Sequence, residues 1–84
     1  MEILLELFTS PTCPYCPEAK RVVKSTAEAM KDALLIERDV SEPQNADLAR
    51  RYGIYSVPAL VVNGRYKIQG VPDPLRLMKL LEYL

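Results

Sequence analysis

Cys13 and Cys16 are separated by two residues and stand where an apolar run gives way to a helical spacing. Two thiols so close in sequence can close a disulfide only if the backbone turns tightly between them. Here that turn must also carry a strand into a helix. Upstream, Ile3-Leu4-Leu5-Glu6-Leu7-Phe8 is short and nearly all apolar, as suits a strand covered on both faces. It stops at the loop Thr9-Ser10-Pro11-Thr12. Downstream, Ala19, Val22, Val23, Thr26, Ala27 and Met30 keep the i, i+3, i+4 spacing of one buried stripe, while Glu18, Lys20, Arg21, Lys24 and Glu28 face away.

The junction bears directly on reactivity. With Pro14 as the first helical residue, Cys13 is predicted at the N-cap and Cys16 at N3. A sulfur at the N-cap faces unpaired backbone N–H groups and the positive end of the helix dipole, and both favour the thiolate. Cys13 is therefore expected to ionise at about 5–7.5, below the ordinary value near 8.5, with Cys16 more shielded one turn inside. Pro17 conflicts with this register: at N4 its missing N–H would remove the bond back to the Cys13 carbonyl. Either the first turn is distorted or the helix starts one residue later.

The rest of the chain continues in the same style. Leu34 to Val40 gives a second strand, completing a βαβ unit whose crossover is expected to be right-handed. Ser41 and Gln44 carry a capping-box pattern, N-cap and N3, for a helix running to Tyr52 with Gly53 as its left-handed stop. Val57-Pro58 introduces a third strand, Ala59 to Val62, and Asn63-Gly64 is a strong hairpin signal. The fourth strand, Arg65 to Gln69, alternates polar and apolar, and its charged face suits a sheet edge. Asp73-Pro74 caps a last helix whose predicted stripe is Leu77, Met78, Leu81 and Leu84. The predicted order is β-α-β-α-β-β-α, one α/β layer structure over residues 1–84.

Composition narrows the chemistry. Eleven basic and eleven acidic side chains cancel, so the basic field of a nucleic-acid binder is missing, and Lys20, Arg21 and Lys24 read as a solvated helix face. With no His, imidazole catalysis is excluded and metal sites lose their commonest neutral ligand. No stretch approaches the roughly 20 apolar residues of a membrane helix. The start, Met1 to Phe8, holds Glu2 and Glu6 and no basic residue, so the expectation is a cytoplasmic protein without a secretion signal.

Two cysteines in such a chain point to catalysis or metal binding rather than to a structural staple. The redox reading has the Cys13 thiolate attack a substrate disulfide and Cys16 then attack Cys13, releasing a dithiol and leaving Cys13–Cys16 oxidised. Zinc needs four ligands, so metal or iron–sulfur binding would require the Cys pairs of two chains in a dimer. A static disulfide closing so short a loop would restrict the unfolded chain little.

With these residues in view, the chain resembles the thioredoxin/glutaredoxin family along its whole length. The Cys13-Pro14-Tyr15-Cys16 quartet is the one usual in glutaredoxins, while Tyr52-Gly53-Ile54-Tyr55-Ser56-Val57-Pro58-Ala59-Leu60 is similar to the corresponding thioredoxin segment. The resemblance implies a thioredoxin fold, α/β, with a four-stranded mixed sheet flanked by three helices. It implies a cis Pro58 packed against the cysteines, with the Val57 backbone pairing with an extended substrate segment. It also implies that Gly70 lets the substrate approach beside that proline, where the residues alone would give a turn after the fourth strand; Pro14 and Tyr15 are candidate substrate contacts, Tyr15 being either a substrate-facing aromatic or an exposed turn residue. The expected partners are disulfide-containing proteins and an electron-donating reductase or low-molecular-weight thiol. No cofactor beyond the redox-active disulfide is expected, nor nucleic acid or membrane, and the expected state is a monomer.

Two departures stand out. Thioredoxins carry a buried Asp six residues before the first Cys, but Leu7 stands there, so Cys16 is expected to lose its proton to water or to the leaving thiolate. Glu6, its neighbour in the strand, points to the opposite side. Glutaredoxins hold glutathione with a basic residue before the motif and a Gly-Gly and Asp segment after the fourth strand. No Lys or Arg precedes Lys20, and the later segment reads Gly70-Val71-Pro72-Asp73, with Asp73 expected as a helix cap. Glutathione-coupled reduction is thus the alternative within the family.

Overall fold

The computed structural model describes residues 2–84. Strand β1 (Ile3–Thr9) leads to helix α1 (Cys16–Ala29), strand β2 (Ala33–Asp39) and helix α2 (Pro43–Arg51). Strands β3 (Ala59–Val62) and β4 (Tyr66–Gln69) follow, and helix α3 (Pro74–Glu82) ends the chain. The sheet order is β2-β1-β3-β4, with β1 parallel to β2 and antiparallel to β3, and β4 antiparallel at the edge. Element order, mixed sheet and edge strand agree with the sequence reading.

The central strands are apolar on both faces because both faces are covered. Ile3, Leu5 and Leu7 of β1 meet Leu60 and Val62 of β3 beneath Ala19 and Val23 of α1 and Leu77 and Leu81 of α3. On the other face, Phe8, Ala59 and Val61 pack against Ala49 of α2 and Ile54. The Phe8 and Tyr52 rings meet edge to face, with centroids 6.0 Å apart. Alternation along β3 therefore feeds two cores from one strand.

Asn63 and Gly64, at φ 53° and 69°, form the tight turn expected between β3 and β4. The Arg65 N–H closes that turn on the Val62 carbonyl at 3.0 Å, so β4 begins one residue later than expected. Gly53, at φ 73°, ends α2 as the left-handed stop.

Several local expectations are corrected. Helix α1 has its N-cap at Tyr15, so Cys13 lies before the helix and Cys16 is its first residue. Pro14 falls in the turn, and Pro17 occupies the first helical turn, where a missing N–H leaves no bond unmade. The capping box at Ser41 does not form. Asp39 accepts the Ser41 N–H at 2.9 Å, and α2 starts after Glu42 with Pro43 leading. In α3, Leu77 and Leu81 are buried and Met78 is half-buried, but Leu84 lies past the helix end and is 37% exposed. Asp73 caps α3 as expected, accepting the Leu75 N–H at 3.3 Å.

Candidate active site

The site forms where β1 stops. A Ser10 carbonyl accepts the Cys13 N–H at 3.2 Å, turning the chain upward into α1. Cys13 and Cys16 are joined as a disulfide, with Cα atoms 5.4 Å apart, inside the ordinary range for such a bond. Their exposures differ. Cys13 is half-buried, whereas Cys16 is 5% exposed beneath the first turn of the helix.

Across the pair lies the segment before β3. The Val57–Pro58 peptide is cis, as the resemblance implied, and Pro58 is buried. The Val57 carbonyl oxygen lies 3.6 Å from Cys13 Sγ. Gly70, at φ 81°, donates its N–H to the Pro58 carbonyl at 2.9 Å, and a Cβ there would meet nothing within 4 Å. Of the residues singled out from sequence, Cys13, Cys16 and Val57 thus come together, with Pro58 next to Val57 in the chain and Gly70 bonded to the Pro58 carbonyl. Pro14 and Tyr15 project from the turn, Tyr15 being 65% exposed at the N-cap.

Sequence reasoning missed two groups around this site. The polar face of β4 does more than protect a sheet edge: its side chains hold the loop that carries Val57. Gln69 Nε2 donates to the Ser56 carbonyl and hydroxyl, both at 2.9 Å, and Lys67 Nζ donates to the Gly53 carbonyl at 3.1 Å. Lys67 and Gln69 are two residues apart in one strand and so share a face.

The second group flanks Cys16. Lys20 Nζ lies 3.0 Å from Glu37 Oε1, and the Thr9 hydroxyl donates to Glu37 Oε2 at 3.2 Å. An open cleft of about 590 Å³ joins these three residues to both cysteines. The four-residue spacing from Cys16 to Lys20 signalled a shared helix face; only the fold supplies Glu37, from β2.

Leu7 is fully buried in the core under α1 and α3. Glu6 points to the opposite face as expected, accepting from Arg38 Nε at 2.8 Å and from the Tyr52 hydroxyl at 3.0 Å. Among the described residues, no group of three or more His, Cys, Asp or Glu could hold a metal ion, and no helix is long and apolar enough to cross a membrane.

The geometry, a Cys-x-x-Cys disulfide facing a cis-proline, can be set against known proteins. A family model described as Thioredoxin domain matches residues 1–82. The chain belongs to the thioredoxin family. A probable thioredoxin of Archaeoglobus fulgidus is 44% identical over 82 residues, covering 98% of this chain and 89% of that protein. A thioredoxin of Methanocaldococcus jannaschii is 41% identical over 81 residues, covering 96% and 94%. Among solved structures, a mutant thioredoxin from Halobacterium salinarum superposes with a TM-score of 0.82 at 32% identity, covering 98% of this chain and 74% of that one.

This thioredoxin-family chain is a dithiol–disulfide oxidoreductase. The thioredoxin-like part of its sequence, around Pro58, and the glutaredoxin-like quartet at the cysteines meet in one site.

Proposed function

We propose that the chain reduces protein disulfides, with Cys13 as the attacking sulfur and Cys16 as the resolving one. The observation that carries this reading is the difference in depth. A substrate disulfide can reach half-buried Cys13 beside Val57, whereas Cys16 lies at the buried helix start and meets only the sulfur of Cys13, to which the substrate is by then bonded. The later start of α1 alters the reason for Cys13 ionisation. In the dithiol form Cys13 stands just ahead of the helix rather than at its cap, its Cα 5.4 Å from that of the first helical residue, so the positive end of the dipole acts on its thiolate through space.

Extended substrate segments dock along Val57 in the manner of an added strand, with Pro58 behind them, Gly70 giving room and Pro14 and Tyr15 flanking them. The reaction needs an external electron donor, a reductase or a low-molecular-weight thiol, and no bound cofactor. The two cores share β1 and β3, which supports residues 1–84 working as one domain. We place the protein in the cytoplasm as a monomer.

The test is direct. Cys13→Ser abolishes dithiol-driven reduction of a protein disulfide, while Cys16→Ser accumulates a mixed disulfide on Cys13. Iodoacetamide should label Cys13 far faster than Cys16 at neutral pH; equal labelling would remove the assigned roles. Rapid reduction of the oxidised protein by glutathione alone would move the donor from a reductase to the small thiol.

A further inference from the structure

We propose that Glu37, held by Lys20 and Thr9, is the proton acceptor for the Cys16 thiol when the mixed disulfide is resolved; this rests on the cysteine roles proposed above. Cys16 is buried at the first residue of α1, so whatever takes its proton must approach from a side left open. Leu7 offers no such group, since it lies among apolar side chains of the core under α1 and α3. The open side is the cleft that Cys16 shares with Thr9, Lys20 and Glu37.

Lys20 follows Cys16 by one helical turn, so both stand on the same face of α1. Its ammonium reaches across to Glu37 Oε1 at 3.0 Å, while the Thr9 hydroxyl donates to Oε2 at 3.2 Å. The carboxylate at the end of β2 is therefore fixed from both walls of the cleft, by α1 and by β1. The other charged groups facing the cleft are Asp39 and Glu42. Asp39 is engaged with the Ser41 N–H at 2.9 Å, and Glu42, at the N-cap of α2, makes no side-chain cap bond, whereas Glu37, itself 41% exposed, is held on both oxygens. Glu37 is thus the carboxylate of the cleft that the two elements bearing the site position together. A cleft of about 590 Å³ admits water, and one water suffices to connect a thiol to a nearby base.

The step balances without an outside oxidant or reductant. The Cys16 S–H proton passes through water to Glu37, and the sulfur's electron pair forms the bond to Cys13 Sγ. The bond from Cys13 to the substrate breaks with its pair on the substrate sulfur, which is protonated in turn from Glu37. Lys20 offsets the negative charge while Cys16 carries it, which makes the pair a charge-handling unit for the buried thiol.

The experiment follows the two chemical steps separately. Reduced protein is mixed with a disulfide substrate, acid-quenched at intervals, and the mixed disulfide is quantified by mass spectrometry across pH. Glu37→Gln should form the mixed disulfide at the wild-type rate but resolve it at least about tenfold more slowly near neutral pH. The deficit should close above about pH 9, where an ordinary thiol ionises unaided. Glu82→Gln, on exposed α3, makes the same change in net charge and should leave both steps unchanged. Wild-type resolution in Glu37→Gln overturns the assignment, and so does a slowing of equal size at every pH, the mark of altered packing. If wild-type protein forms no mixed disulfide on Cys13, the parent reading fails instead, and the two failures are distinguishable.

Discussion

Glu6 is a carboxylate in the middle of the central strand, 2% exposed, and it is stable there because its partners come from two other elements. Arg38 of β2 donates to one oxygen and Tyr52, the C-cap of α2, to the other. Arg38→Met would leave that charge buried with one bond fewer and should destabilise the protein by about 1.5–3 kcal/mol in urea unfolding, the range for a hydrogen bond to a charged group. Burial pushes the Tyr52 pKa above its ordinary 10.0, and the bond to Glu6 adds to the rise, with Arg38 acting against both. Below pH 10 both the folded and unfolded chains keep this proton. As pH rises through 10 the unfolded chain releases it first, so stability is lost as pH climbs towards the folded value. Tyr52→Phe should therefore flatten the fall of the urea midpoint above about pH 10, and an unchanged slope would refute this account. Single residues were legible only where the partner was local. Asp73 as a cap could be seen in the sequence; Glu6 could not be matched with Arg38 and Tyr52, which lie 32 and 46 residues away.

At the scale of elements, periodicity together with cap and turn signals located the helices and strands, and proline chemistry decided the helix starts. Pro17 cannot serve inside a helix without losing a bond, and α1 begins so that the residue falls in its first turn. The register drawn from Pro14 already conflicted with Pro17, and the helix removes the conflict by starting two residues later, at Cys16. The same competition explains Ser41. Its hydroxyl pattern promised a cap, but Asp39 folds back on the Ser41 amide, and Asn45 donates to the Asp39 carbonyl at 3.1 Å. Two substitutions separate the real cap from the apparent one. Asp73→Ala should lower stability by about 1 kcal/mol. Ser41→Ala should stay within about 0.5 kcal/mol of the parent, as for an exposed side chain without a cap bond.

For the whole molecule, one sheet serves two cores, so neither can melt while the other stays packed. An 84-residue chain holds only about 4–13 kcal/mol of net stability. Leu5→Ala, in the fully buried middle of β1, should remove about 2–5 kcal/mol of it. Hydrogen exchange should show β1 and β3 amides losing protection together in that variant, although Leu5 touches only one core; separate loss would argue for independent halves. The overall architecture was legible because strand, helix and turn signals agreed along the chain. The walls of the site were not, since Lys67, Gln69 and Glu37 look like ordinary exposed polar residues until the sheet sets them in place. The bonds from β4 have an effect of their own. Lys67 and Gln69 lash residues 53–56 to the hairpin's outer strand without touching sulfur. The rim on which a visiting polypeptide lands is consequently rigged in advance, and opening or closing the disulfide should leave its outline the same.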